Sequence, residues 1–385
     1  MDAAGNLVIA DFGDTRVRVV AASTGSFYGQ AMTKNDIYTV AGDVPADFCC
    51  DGSPATTAEM NGPGQAVTDH AGNIVIADES DNRIRVVSAS TGSFYGQAMT
   101  KGDIYTVAGN GKSGISANGT PATQAELRVP EGVQVDQAGN LVIVVTFANM
   151  IQVVAAKTGT FYGLPMTAGD IYTIAGTGVA HFAGDGGPAT KAGLWNPSGV
   201  ALDAAGNVLI ADKEDNRIRV VAVKTGTFYG RAMKAGDIYT VAGDGTLGFS
   251  GDGGPATSAE LGTPAGVTTD QTGNLVIADT HNQRVRMVAV KSGTFYGRNM
   301  TAGDIYTIAG NGLSGFAGDG GPATAAEFNA PQAVAVDATG NIVIADTNFG
   351  GAPADQGNNR VRVVAASTGT FYGAVSYTHL RAHET

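Results

Sequence analysis

An aspartate and an arginine recur together at the two ends of one short turn along this chain of 385 residues. Both charges disappear together in one copy, where Val145 and Met150 stand instead. This joint loss predicts a structural ion pair across a hairpin. Exposed ion pairs stabilise a fold by only about 0–1 kcal/mol, so we expect these pairs to shape the turn. They are Asp11/Arg16, Asp78/Arg83, Asp212/Arg217, Asp279/Arg284 and Asp346/Arg360.

A companion arginine follows two residues after the first, and Gln152 replaces it in the divergent copy. The companions are Arg18, Arg85, Arg219, Arg286 and Arg362. A ring of arginines could bind an anion, because guanidinium groups match carboxylate and phosphate geometry. Each of these arginines has a carboxylate nearby in sequence, so we favour the structural role.

A second set of aspartates precedes a recurring Gly-Asn pair, at Asp2, Asp69, Asp136, Asp203, Asp270 and Asp337. Six carboxylates around one axis could bind calcium. Aspartate also serves in turns, where its side chain accepts hydrogen bonds from its own backbone, and we favour that role. The five histidines do not fall at matched positions that would converge on one metal. We therefore predict no metal site, no cofactor and no catalytic residue.

Aromatic and cysteine residues add two further observations. A Phe-Tyr-Gly unit recurs in every copy, at Phe228 and Tyr229 for example. Its rings could stack on sugars or peptides, but we expect them to cover the apolar rim of their own sheet. Cys49 and Cys50 are adjacent, so they cannot join distant segments and say little about the redox compartment.

The third copy and the connection that follows it depart from the other copies in an apolar direction. We predict a ligand- or partner-binding patch formed by Phe147, Met150, His181, Phe182 and Trp195. Exposed apolar patches mark partner sites on soluble proteins. The alternative is that these residues pack against each other.

A repeat of 67 residues predicts the strands and turns that position these residues. Its marker glycines are Gly5, Gly72, Gly139, Gly206, Gly273 and Gly340. In the fourth copy, residues 198–203, 207–212, 217–222 and 237–243 are short, rich in β-branched residues and bounded by turn residues, which predicts four strands. A four-stranded sheet cannot cover both of its faces alone, so the copies must pack around an axis.

The predicted fold is therefore all-β, a six-bladed β-propeller of four-stranded antiparallel blades. The first copy lacks its innermost strand and the last copy leaves the pattern after Gly373, so both terminal blades are expected to have three strands. We predict one propeller domain over residues 1–373. Residues 374–385 are predicted to be a disordered or non-native tail, and the chain is interpreted as a fragment of a longer gene product.

Composition excludes several classes of protein. The net charge is −12 and no basic run exists, so nucleic acid is not an expected partner. No apolar run approaches the roughly 20 residues of a membrane-spanning helix, so this segment is not expected to insert in a membrane.

The motif at residues 197–203, with Gly206-Asn207, Asp212 and the run 216–218, resembles the NHL-repeat family. The Gly-Asp-Gly-Gly-Pro-Ala-Thr connection is similar to that of bacterial NHL arrays and of the NHL propeller of teneurins. This resemblance implies a monomeric, non-enzymatic scaffold that presents one face to a protein, peptide or glycan. It also implies secretion or display on the surface of a bacterium. A metal-dependent lyase or hydrolase with its site in the channel, and a purely structural spacer, are the alternatives.

Overall fold

A computed structural model describes residues 1–43, 48–347, 357–368, 370–371 and 374–375. The chain divides into two compact units, residues 1–179 and 180–385, and each contains three of the six main sheets, here called blades. In the described ranges the helical elements are 3-10 turns of three residues. None of the helices there is long and apolar enough to cross a membrane.

The first unit contains blades 1 to 3. Blade 1 comprises β1 (Leu7–Asp11), β2 (Arg16–Val20), β3 (Gly25–Phe27), β4 (Gln30–Met32) and β5 (Ile37–Ala41). Blade 2 comprises β6 (Ser53–Pro54), β7 (Pro63–Thr68), β8 (Ile74–Asp78), β9 (Arg83–Val87), β10 (Gly92–Phe94), β11 (Gln97–Met99) and β12 (Asp103–Ala108). Blade 3 comprises β13 (Thr120–Pro121), β14 (Pro130–Val135), β15 (Leu141–Val145), β16 (Met150–Val154), β17 (Gly159–Phe161), β18 (Leu164–Met166) and β19 (Asp170–Ala175). The 3-10 turns of the first unit are Ala55–Thr57, Ala122–Gln124 and Thr146–Ala148.

The second unit contains blades 4 to 6. Blade 4 comprises β20 (Pro197–Leu202), β21 (Val208–Asp212), β22 (Arg217–Val221), β23 (Gly226–Phe228), β24 (Arg231–Met233) and β25 (Ile238–Ala242). Blade 5 comprises β26 (Gly254–Pro255), β27 (Gly266–Thr269), β28 (Leu275–Asp279), β29 (Arg284–Val288), β30 (Gly293–Phe295), β31 (Arg298–Met300) and β32 (Asp304–Ala309). Blade 6 comprises β33 (Pro331–Val336), β34 (Ile342–Asp346), β35 (Arg360–Val364), β36 (Thr370–Phe371) and β37 (Ala374–Val375). The 3-10 turns of the second unit are Ala189–Lys191, Ala256–Ser258, Thr280–Asn282 and Ala323–Ala325.

Blade 4 shows the plan that blades 2 to 5 share. Its four strands pair antiparallel in the order β20-β21-β22-β25, and all four lie within one or two residues of the predicted positions. Blades 2, 3 and 5 add a two-residue outer strand from the preceding connection. Among the described residues, the main sheets of blades 1 and 6 have three strands each. The prediction of an all-β six-bladed propeller with three-stranded terminal blades is confirmed.

The core lies between consecutive blades inside each unit. Leu209, Ile218 and Val220 of blade 4 pack with Leu275 and Ile277 of blade 5, and all five side chains are buried. The first strands of neighbouring blades approach so closely that only glycine fits at some positions. A Cβ atom on Gly199 would lie 2.5 Å from the carbonyl oxygen of Ala265.

Each blade has two ends that are built from different segments. The connector end holds the turn between the second and third strands, the end of the fourth strand and the connection to the next blade. These segments meet because Asp212 pairs with Arg217 and Ile218 pairs with Ala242 in the antiparallel ladder. The arm end holds the turn between the first two strands and a small hairpin such as β23–β24. The prediction of a single domain over residues 1–373 stays a prediction, and residues 376–385 of the predicted tail lie outside the described residues.

Candidate functional site

A buried arginine organises the connector end of blade 4. Arg219 and Asp212 are both fully buried, and Nη1 of the arginine lies 3.4 Å from the aspartate Oδ2. Arg219 also donates to the carbonyl oxygens of Gly193 at 2.6 Å and Ala183 at 3.0 Å. Asp185, the acidic residue of Gly-Asp-Gly-Gly, lies on the connection, and its Oδ1 is 3.6 Å from Nη2 of Arg219. One guanidinium group therefore fastens the connection to the sheet.

The ion-pair partner that we predicted is wrong. In each charged copy the first aspartate contacts the companion arginine and not the arginine opposite it at the end of the turn. Both arginines lie on the same face of the sheet as the aspartate, because alternate residues of a strand point to the same face. The observed pairs are Asp11–Arg18, Asp78–Arg85, Asp212–Arg219, Asp279–Arg286 and Asp346–Arg362, at 3.0–3.5 Å. The expectation of exposed pairs is also wrong, because both side chains are fully buried in four of the five.

Four of the five predicted arginines have a different role, and they are Arg83, Arg217, Arg284 and Arg360. In blades 2 and 5, Arg83 and Arg284 each donate to two carbonyl oxygens, one in their own turn and one in the next connection, at 2.9–3.1 Å. Arg360 donates to the carbonyl of Asn358 at 2.8 Å. Their donors are thus directed at backbone. The companion arginines, for which a ring that binds an anion was the alternative, are fully buried against aspartates in four blades, which argues against that alternative.

An aromatic ring of the connection stacks on the arginine pair in blades 2, 4, 5 and 6. The guanidinium carbon of Arg217 lies 3.8 Å from the ring centre of Phe182, and that of Arg219 lies 4.9 Å away. The same stack recurs with Phe48, Phe249 and Phe316 in blades 2, 5 and 6. Phe182 is therefore a member of a repeated structure, which its position in the repeat could have revealed.

Blade 3 replaces the whole assembly at once. Gln152 stands in the place of the buried arginine and donates to the Thr173 hydroxyl at 3.3 Å. Ile115 occupies the position of the stacking phenylalanine, and Asn118 replaces the connection aspartate while keeping its bond to the Thr173 amide at 2.8 Å. The correlated replacement of charge, carboxylate and ring supports a structural role for the assembly in the other blades.

A neighbouring turn residue changes the pKa of the buried aspartate. In blade 4, burial raises the pKa of Asp212, and the charge and hydrogen bond of Asp215 raise that pKa further. In blade 5, Asn282 stands at the position of Asp215, and its side-chain Nδ2 donates to Asp279 Oδ2 at 2.9 Å. Burial still raises the pKa of Asp279 to about 6, although Arg286 and Asn282 oppose the shift.

The predicted binding residues fall in both units. Phe147 and Met150 lie in the first, where Phe147 is 48% exposed and Met150 is half-buried against the core between blades 2 and 3. His181, Phe182 and Trp195 lie in the second, with exposed fractions of 37% for Phe182 and 43% for Trp195. Each of the five lies at a connector end.

Trp195 is held by its backbone while its indole remains accessible. Its amide donates to Asp212 Oδ1 at 2.8 Å, and its carbonyl accepts from the Glu214 amide at 3.1 Å. The buried ion pair of Asp212 thereby fixes the position of the exposed ring. We did not predict this link between the two sets of residues.

The turn aspartates at the arm end behave as predicted. Oδ1 of Asp203 accepts from the amides of Ala205 and Asn207 at 2.9 and 2.8 Å, and Oδ2 accepts from the Asn207 side chain at 2.8 Å. The Tyr229 hydroxyl also donates to Oδ2 at 2.9 Å. Because the carboxylate is saturated by its own blade, these contacts favour the turn interpretation over calcium. Within the described ranges, no group of three or more acidic, histidine or cysteine residues could hold a metal ion.

Comparison with known proteins agrees with this geometry. The sequence profile of the family described as NHL repeat matches residues 194–221 and 261–286, which lie in blades 4 and 5 and end in their third strands. Together with the six blades, these matches confirm the resemblance to NHL-repeat propellers.

Among curated proteins, SUPPRESSOR OF QUENCHING 1, a chloroplastic protein of Arabidopsis thaliana, is 26% identical over 153 residues, which is 40% of this chain and 13% of that protein. An auxiliary nutrient binding protein from Bacteroides ovatus has a similar structure, with a TM-score of 0.53 and 15% identity over 89% of this chain and 64% of that one. Streptogramin B lyase has a TM-score of 0.46 and 12% identity over 94% and 76%. This chain thus spans less than two thirds of the first two proteins, and the structural similarities show the fold alone.

Proposed function

We propose that this protein is a non-enzymatic binding scaffold that holds a protein or peptide against the connector ends of its blades. One observation carries the proposal. All nine large hydrophobic residues that are exposed in the described part of the chain lie on connections or on turns between second and third strands. They are Phe12, Ile115, Phe147, Val179, Phe182, Trp195, Leu247, Phe249 and Leu313.

This segregation favours a binding role, because exposed apolar residues that merely reflect a shortage of polar surface would be scattered over both ends of the blades. Five of the nine, Trp195 among them, lie on three consecutive connections of the second unit. Tryptophan is enriched among residues that dominate binding energy, and a ring held by a fixed backbone loses little entropy when a partner binds.

The aliphatic members favour a polypeptide over a sugar. Leu247 is 55% exposed and Leu313 is 61% exposed. A sugar ring stacks on aromatic faces, whereas exposed leucines match the apolar side chains of a protein or peptide. A glycan partner is therefore the less favoured class and becomes an outcome of the test.

Secretion or surface display in a bacterium belongs to the same proposal. The low content of charged residues, 15%, is compatible with that location.

The test uses a random-peptide phage library selected on the purified full chain. Enriched peptides are synthesised, and their affinities are measured by calorimetry for the wild type, for Trp195→Ala and for Leu313→Ser. We expect each variant to lose about tenfold or more in affinity while its melting temperature stays within about 2 °C. Lys234→Ala, an exposed change at the arm end, is the control and should bind like the wild type.

Three outcomes contradict the proposal. Enriched peptides that bind Trp195→Ala and Leu313→Ser as tightly as the wild type would place the site elsewhere. Binding to a glycan array that Trp195→Ala abolishes, without any peptide binder, would make the partner a sugar. Failure to enrich any peptide or glycan would favour the structural spacer.

A further inference from the structure

The connection between blades 1 and 2 contains a disulfide between the adjacent residues Cys49 and Cys50. These are the two cysteines of the chain, so neither is free. Cys50 is exposed and Cys49 is half-buried, which leaves the bond open to a small reagent. The corresponding residues of blade 4, Ala183 and Gly184, make no such bond.

Cys50 adopts a backbone conformation that glycine adopts in three other copies, whereas Ala117, at the same place in the remaining copy, does not adopt it. Its φ is +74°, and Gly184, Gly251 and Gly318 stand at the same place in their repeats with φ of +76° to +88°. An L-residue with a side chain disfavours this left-handed region, whereas glycine adopts it readily. The covalent link to Cys49 offers a restraint that can hold Cys50 where a side chain would otherwise be unfavourable.

The disulfide lies inside the segment that fastens the blade-2 arginines. The Cys49 carbonyl accepts from Arg85 Nη2 at 2.8 Å, and Asp51 Oδ1 lies 3.0 Å from the same nitrogen. On the other side, the Phe48 ring stacks 3.6 Å from the guanidinium carbon of Arg83. The two cysteines thus stand between the ring and the carboxylate of one arginine assembly.

We propose that Cys49–Cys50 is a thiol–disulfide exchange site, and that its reduction by a low-molecular-weight thiol loosens the connection from Arg85. The thiolate of one reagent molecule attacks a cysteine sulfur, forms a mixed disulfide and releases the other cysteine as a thiolate, which takes up a proton. A second reagent thiolate then attacks the reagent sulfur of the mixed disulfide and releases the protein cysteine as a thiolate, which also takes up a proton. Two electrons pass to the protein, which gains two thiols, and the reagent leaves as its own disulfide.

Loss of the bond removes the restraint on Cys50 but leaves its side chain in place. The reduced residue can then leave the left-handed region, which moves the adjoining carbonyl of Cys49 and the carboxylate of Asp51 away from Arg85. Because Arg85 is fully buried, its side chain loses partners that water cannot replace without opening the connection. The site is independent of any partner and therefore does not rest on the proposed function.

The test compares the wild type with Cys49→Ala/Cys50→Gly, which gives blade 2 the residues of blade 4 at this place. Iodoacetamide labelling and hydrogen exchange are followed by mass spectrometry with and without 5 mM glutathione. We expect no labelled cysteine before reduction and two afterwards. Exchange over residues 48–53 and 83–87 should rise severalfold on reduction of the wild type and stay unchanged in the double variant.

Each contrary result is decisive. Two labelled cysteines in protein purified without reductant would show that the disulfide does not form. A bond that glutathione leaves intact would contradict an exchange site. Complete reduction without any rise in exchange would show that the bond does not control the connection, and an equal rise in the double variant would assign the effect to the reagent.

Discussion

Arg219 and Asp212 form an ion pair in blade 4 in which both side chains are fully removed from solvent, with 3.4 Å between nitrogen and oxygen. Removing two charges from water costs free energy that their attraction repays only when the remaining donors are also satisfied. The carbonyls of Gly193 and Ala183, both in the connection, accept from Nη1 and Nη2 of the arginine, while its buried Nε has no hydrogen-bond partner. The pair therefore depends on the connection as much as the connection depends on the pair.

Arg219→Gln should destabilise the protein strongly, because the buried Asp212 and the carbonyls of Gly193 and Ala183 would lose their shared donor. Removal of one partner from a buried pair costs about 3–5 kcal/mol in other proteins. We expect a loss of that order in the free energy of unfolding, measured with urea at pH 7. A loss below about 1 kcal/mol would show that water or rearrangement compensates the carboxylate.

Blade 3 supplies the matched control for this change. The triple variant Asp185→Asn/Asp212→Val/Arg219→Gln gives blade 4 the residues that stand at 118, 145 and 152. Because no uncompensated charge remains, it should recover most of the stability that Arg219→Gln loses. A triple variant less stable than the single variant would contradict this explanation.

Asp215→Asn should stabilise the protein at alkaline pH. A carboxyl group whose pKa is raised by folding contributes stability below its unfolded pKa, about 4, and loses that contribution as the pH rises through its folded pKa. Burial and Asp215 both raise the pKa of Asp212, so this loss extends toward neutral pH and above. An amide at 215 can donate to the carboxylate, as Asn282 does to Asp279 in blade 5.

The gain from Asp215→Asn should therefore be larger at pH 8 than at pH 5, as measured by urea unfolding at both values. The reciprocal change Asn282→Asp in blade 5 should have the opposite sign and lose more at pH 8. Equal effects at the two pH values would show that the carboxyl pair is not the source of the pH dependence.

The architecture could be predicted because one module is repeated. Six marker glycines at a constant spacing define the blades, and turn residues on either side of the strands of blade 4 indicate where each strand ends. The turn role of Asp203 followed from its residue type alone. Its bond from Tyr229 joins residues 26 apart, and no local propensity signals a contact at that distance.

The partner of Asp212 was missed for a geometric reason. Arg217 lies directly opposite in the ladder, yet its side chain turns toward the connections, while Arg219, two residues along the strand, extends back beneath the aspartate. Sequence spacing gives the register of a hairpin but not the length over which a long side chain reaches. The exposed ring of Trp195 could be guessed from its uniqueness, whereas its anchoring to Asp212 required the structure.

Gly243→Ala should be among the most damaging small changes in blade 4. Gly243 has a φ of +88°, and an added Cβ atom would lie 2.2 Å from the Asn216 carbonyl oxygen and 3.0 Å from the Arg217 Cα atom. Gly236→Ala is the matched control, because its φ is +82° and nothing lies within 4 Å of its Cβ position. The control should lose only the cost of the left-handed backbone, about 1–2 kcal/mol. Gly243→Ala should lose clearly more in urea unfolding, since backbone atoms cannot move aside, and equal losses would show that the fourth strand shifts freely at its end.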